Sequence, residues 1–170
     1  MLAAVKYILG QIQESATLLE QSRGVFREEG EDWWYLLSII NLALYYNSSG
    51  KLQESEALHQ EGFRLVEPGD LRLGLSLRTG FACLLYLKND FAKAEQWMQE
   101  NLQLADQLGN SRRTAANLFN LGRVALATQR IELAEEYIQK SINLVGGFGE
   151  LFDLTMLHIY LGKCFAAQAD

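Results

Sequence analysis

Residues 118–145 read LFNLGRVALATQRIELAEEYIQKSINLV, and the spacing of apolar residues in this stretch decides the fold. Leu118, Leu121, Val124 and Ala125 recur at the three- and four-residue intervals that line up on one side of a helix. After a polar break at Gln129, a second stripe runs through Ala134, Tyr137, Ile138, Ile142 and Val145. Two such helices joined by a tight turn form an antiparallel hairpin. Gly122 and Ala134, one small residue on each helix, mark where the two backbones approach. A leucine at Gly122 is expected to cost about 1–3 kcal/mol by overpacking.

The same pattern extends in both directions. A bulky residue followed by a small one occurs at Leu2-Ala3, Leu42-Ala43, Phe81-Ala82, Leu121-Gly122 and Leu161-Gly162, in steps of 40, 39, 40 and 40 residues. A second small residue follows at a constant offset of 12: Ser15, Ser55, Ala94 and Ala134. The missing residue therefore lies between Ser55 and Ala82, where the only proline, Pro68, signals a loop able to absorb a length change. Gly10, Gly50, Asn89 and Gln129 take equivalent places in the turns inside the hairpins. The first three tolerate a left-handed backbone, and Gln129 is the weak member. Between hairpins stand Gly30-Glu31-Asp32, Pro68-Gly69-Asp70, Gly109-Asn110-Ser111 and Gly149-Glu150, each a helix stop followed by a capping residue. The expected architecture is all-α, about nine helices near residues 1–10, 12–28, 32–48, 51–66, 70–87, 91–108, 111–128, 131–146 and 150–168. They make one helical-repeat domain over 1–170, in units of 1–30, 31–69, 70–110, 111–149 and a partial 150–170.

Composition agrees. Hydrophobic residues make up 49% and charged residues 21%, proportions of an ordinary globular domain. Abundant Leu, Ala, Gln and Glu with a single Pro favour helices and exclude all-β classes. A net charge of −6 argues against direct nucleic-acid binding, which needs a clustered basic surplus. No apolar run reaches the roughly 18 residues of a membrane span, and the start does not read as a secretory signal, so a cytoplasmic location is expected. Cys83 and Cys164 read as packed thiols.

Little in the chain suggests catalysis. The two histidines, His59 and His158, are 99 residues apart and occupy packing positions. Neither has a convergent ligand set for a metal, nor an obvious convergent serine or cysteine in its own unit. No cofactor and no enzyme activity are expected. Gly146-Gly147-Phe148-Gly149 lacks the flanking strand and lysine of a phosphate loop and reads as a turn. The acidic residues of the second helices, Glu54, Glu56, Glu95, Glu100, Glu132, Glu135 and Glu136, read as a solvated face. Of the adjacent Trp33 and Trp34, one is expected to pack in the core, and the other is a candidate exposed anchor.

At this point the chain resembles the tetratricopeptide family, through Leu42-Ala43-Tyr46-Ser55-Gly62, Phe81-Ala82-Leu85-Ala94-Met98 and Leu121-Gly122-Ala134-Ile138-Ser141. It departs from the family pattern in its 40-residue period, in Ile39, Arg78, Leu118 and His158 at the leading aromatic position, and in lacking the closing proline. Units of this length look like those of sensor segments in large bacterial regulators and of helical adaptors. The resemblance implies a right-handed superhelix whose first helices line a concave groove. Carried over position by position, the groove residues are Leu37, Ile40, Leu44, Asn47, Thr79, Tyr86, Phe119, Arg123 and Lys163, with Tyr7 from the first unit. Leu44 and Cys83 stand where a carboxylate clamp would need asparagines. The implied function is a non-catalytic scaffold binding a protein or peptide. The alternatives are a ligand-sensing regulatory segment of a larger signal-transducing ATPase or transcriptional regulator, or an enzyme that would depend on His59 or His158. The terminal units lack polar caps, so the chain is expected to be a fragment of a longer array and to self-associate through its last helix, by way of Leu154, Leu157, Leu161 and Phe165.

Overall fold

A computed structural model describes residues 12–145 and 151–169, with side chains over 13–145 and 156–168. The expected helix at 1–10, the Gly146–Gly149 turn and Tyr7 lie outside the described residues. Among those described there are eight helices: α1 Ile12–Glu28, α2 Asp32–Ser48, α3 Leu52–Leu65, α4 Leu71–Leu87, α5 Phe91–Gln107, α6 Ser111–Ala127, α7 Ile131–Val145 and α8 Leu151–Ala169. Every bound falls within one residue of the sequence reading. The chain divides into two compact units, 1–88 and 89–170.

In the first unit α2 is the central element, packed against α1, α3 and α4. One core gathers Ala16, Tyr35, Ile39, Leu42, Ala43, Tyr45 and Leu58, and another gathers Leu36, Ile40, Leu73 and Leu77. A helix apolar on two sides can serve three neighbours, which is why α2 carries so many buried residues. The small residues act as expected. Ser55 Oγ lies 3.1 Å from the Ala43 carbonyl oxygen, a closeness that a larger residue at either position would prevent. A Cβ on Gly62 would come within 2.8 Å of Leu77 Cδ1.

In the second unit α6 packs against α5, α7 and α8. A Cβ on Gly122 would lie 2.6 Å from Ile138 Cγ1 and 3.3 Å from the Ala134 carbonyl, so the paired small residues meet here too. Arg130 ties the turn before α7 to α5 through a bidentate pair with Glu95, at 2.9 and 2.8 Å.

Turn chemistry fixes the helix ends. Gly30, Gly50, Asn89, Gly109 and Gln129 all have positive φ. In four of these turns the following residue's N–H reaches back five residues: Glu31 to Phe26, Lys51 to Tyr46, Asn110 to Ala105 and Arg130 to Ala125. Asp70, Asp90 and Asn110 then cap the next helices by accepting from the N–H groups of Leu73, Lys93 and Arg113. The Pro68 loop is different: Val66 is already extended at ψ 123°, and α3 stops after 14 residues where α5 runs for 17. That shortening places the one-residue deletion where the spacing predicted it.

Candidate functional site

Adjacent first helices present a shared face in each unit: α2 beside α4 in the first, α6 beside α8 in the second. The expected groove residues divide on these faces into two groups. Three are corrected to the interior. Ile40 belongs to the core with Leu36, Leu73 and Leu77. Asn47 is buried, its amide donating to the Gly80 carbonyl at 3.0 Å and its Oδ1 accepting from Ser55 Oγ at 2.7 Å. Thr79 is buried and donates to the Leu75 carbonyl at 2.8 Å. Their polar atoms are committed to holding helices together. Leu37 is half-buried against the same core, Tyr86 is half-buried, and Leu44 is exposed.

In the second unit the expected residues converge. Phe119 on α6 meets Tyr160 on α8 edge to face, ring centroids 5.2 Å apart. Arg123, one turn along α6, sets its guanidinium 5.8 Å from the Phe119 ring and 5.9 Å from that of Tyr160. Its Nη1 also donates to Asn120 Oδ1 at 3.1 Å. Lys163 holds its ammonium 4.3 Å from the Tyr160 centroid. Ring faces carry negative quadrupole charge, so they steady both cations without neutralising them. The result is an apolar, aromatic patch with two positive charges over it. Toward the start of α6 a cavity of about 390 Å³ continues from Phe119 along Ala116, Met156 and Leu157. Tyr160, the hub of the cluster, was missed because it lies next to the bulky residue Leu161 instead of at one of the carried-over offsets.

His59 and Ser55 are not arranged as a base and its nucleophile through Nδ1. His59 is buried, and its Nδ1 lies 2.8 Å from the Ser55 carbonyl, an atom that can only accept, so Nδ1 carries the proton. It therefore has no lone pair to take a proton from Ser55 Oγ, 3.2 Å away. Burial pushes the His59 pKa below the ordinary imidazole value, against a smaller opposing effect of the Ser55 hydrogen bond. His158 is exposed on α8. Cys83 and Cys164 form no disulfide; Cys83 is half-buried, and Cys164 is buried with its pKa pushed up by that burial.

One tryptophan was expected in the core and one exposed; neither is buried, Trp33 and Trp34 each being about half exposed at the start of α2. Adjacent helical residues point about 100° apart, and here the core side of α2 is filled by Tyr35, Leu36 and Ile39. The acidic residues of the second helices are exposed or half-buried, several of them in surface ion pairs, such as Glu56 with Lys88 and Glu136 with Lys140. None of the described helices is long and apolar enough to cross a membrane.

The family profile described as Tetratricopeptide repeat matches residues 1–67 and 76–145. Among solved structures, the chain is similar to BtubC (BKLC) from P. vanneervenii, with 18% identity and a TM-score of 0.74 over 99% of this chain and 71% of that one. It is similar to a Signal Transduction ATPase with Numerous Domains protein from Pyrococcus horikoshii that has a tetratricopeptide repeat sensor. That match has 17% identity and a TM-score of 0.76 over 97% of this chain and 25% of that one. The nearly identical TPR-like repeats of a protein described as a kinesin light chain of Podosopora anserina match at 18% identity and a TM-score of 0.67, over 99% and 84% of the two chains. No curated protein sequence matches significantly.

Proposed function

The chain belongs to the tetratricopeptide repeat family, and from that premise we propose that it is a non-catalytic scaffold whose second unit binds an acidic, amphipathic segment of a partner protein. The observation that carries this reading is the cluster of Phe119, Tyr160, Arg123 and Lys163, which joins apolar ring surface to two cations on one face. An apolar segment covers the rings, and its carboxylates meet the guanidinium and the ammonium. Leu37, Leu44 and Tyr86 on the first unit's own face, with Tyr7, belong to the proposed set as contacts of that unit.

A second reading rests on the Pyrococcus horikoshii similarity: the repeats serve as the sensor of a larger signal-transducing protein, with the same face receiving its ligand. On either reading the repeats work in the cytoplasm. Binding of a fluorescent library of acidic amphipathic peptides, compared across the wild type, Arg123→Glu and Phe119→Ala, tests the assignment. We expect Arg123→Glu to abolish capture of acidic members and Phe119→Ala to weaken it about tenfold, consistent with loss of a buried aromatic anchor. A captured set unchanged by both substitutions refutes it.

A further inference from the structure

At the edge of the first unit where its hairpins join, a cavity of about 320 Å³ opens between the start of α2, the end of α3 and the start of α4. Its wall includes Trp33, and its charged lining consists of Asp32, Glu67 and Asp70, with no lysine or arginine. Trp33 is 49% exposed and Trp34 48% exposed, although α2 completes its core side without them. The indoles are held in place: Phe26 stacks on Trp34 at 5.9 Å, and Trp34 meets Trp33 edge to face at 4.7 Å. Asp70 commits one oxygen to capping α4 at the Leu73 N–H. Asp32 and Glu67 make no ion pair among the described residues. Leu65 and Leu71 stand exposed nearby.

We infer that this edge is a docking site for an arginine side chain carried on an apolar segment of a partner protein. A guanidinium stacks on an indole face and forms two parallel hydrogen bonds to a carboxylate, so the ring and the acids answer to one group. An acidic side chain is repelled, and a neutral one strips water from the carboxylates without replacing it. The exposed leucines favour apolar residues on either side of the arginine. This site takes charge opposite to that of the Phe119 cluster and lies in the other unit, so each proposal stands or fails alone.

Titration of the whole chain with acetyl-Gly-Leu-Arg-Leu-Gly-amide, followed through the tryptophan indole N–H signals, tests the assignment. The Trp33 signal, identified with Trp33→Phe, should shift while that of Trp97 stays still. The citrulline peptide should bind about tenfold more weakly, because it keeps the shape and loses the charge. Asp32→Asn and Glu67→Gln should each weaken the arginine peptide several-fold with an unchanged melting temperature, and added salt should weaken it further. Phe119→Ala should leave the titration unaltered. No shift at millimolar peptide, equal binding of the citrulline peptide, or Trp33 signals that move with protein concentration alone, as a second copy in the cavity would make them, overturns the inference.

Discussion

Gln129 sits at φ 61°, a region that costs most residues about 1–2 kcal/mol. It is held there because the hairpin must close: its own N–H bonds to the Leu126 carbonyl and that of Arg130 to the Ala125 carbonyl. Register placed a turn at this residue, but its side chain gave no sign of the left-handed backbone, since the geometry is imposed by the two helices and not by the glutamine. Gln129→Gly relieves the strain and adds unfolded-chain entropy, leaving a net gain of about 0.5–1 kcal/mol, measurable by urea denaturation. His59 makes a second residue-scale prediction. Its folded pKa is depressed by burial, so the unfolded chain binds the proton more readily. The neutral ring's contribution is complete above the ordinary imidazole value of about 6.5 and is lost as pH falls toward the lowered folded value. The wild type should therefore lose stability on acidification through that window more steeply than His59→Gln, compared by denaturation at pH 7.5 and below 6.5. Gly80, which went unnoticed in the sequence, belongs to the same clip: a Cβ there would stand 2.8 Å from His59 Nε2.

Helices were the most legible level, because apolar period, small-residue pairs and turn residues all agree on the same bounds. What periodicity could not supply is rotation: a helix with neighbours on several sides turns buried positions toward each of them. Ile40, Asn47 and Thr79 therefore fell in the interior although the register carried over from the family set them on the open face. Phe119, Arg123 and Lys163 instead gather around Tyr160 where α6 meets α8, with the two cations over the rings. The contrast between the Pro68 loop and a packed helix yields a prediction. One glycine inserted after Gly69 lengthens a connection that already varies between units, and should cost under about 1 kcal/mol. The same residue inserted after Val124 rotates the end of α6 by about 100° and drives Ala125 off the core, so the second unit should lose its cooperative melt. Circular dichroism melts of the two insertions decide between these outcomes.

At the scale of the whole molecule, a net charge of −6 keeps copies apart while uncovered apolar surface draws them together. The expected self-association needs one correction. Leu157 is buried and packs with Ala115, Ile138 and Val145, so it is a structural residue, and changing it would damage the fold. Leu154 lies outside the described side chains; among those described on α8, the large apolar residues left open are Ile159 and Phe165, about half exposed. Burying both on two copies removes on the order of 400 Å² of apolar area, or about 10 kcal/mol before the cost of association. That cost, about 4 kcal/mol at its low end, leaves about 6 kcal/mol, so the proposed dimer is weak, with a dissociation constant of about 50 µM. Screening the repulsion between acidic copies should then strengthen pairing as salt rises, the reverse of an ion-paired interface. Sedimentation of the wild type at low and high salt, beside Ile159→Glu and Phe165→Glu, checks both points. The wild type should shift toward dimer with salt, and either substitution should hold it monomeric. A wild type that stays monomeric at several hundred micromolar in high salt, or a dimer untouched by both changes, would remove α8 as the contact.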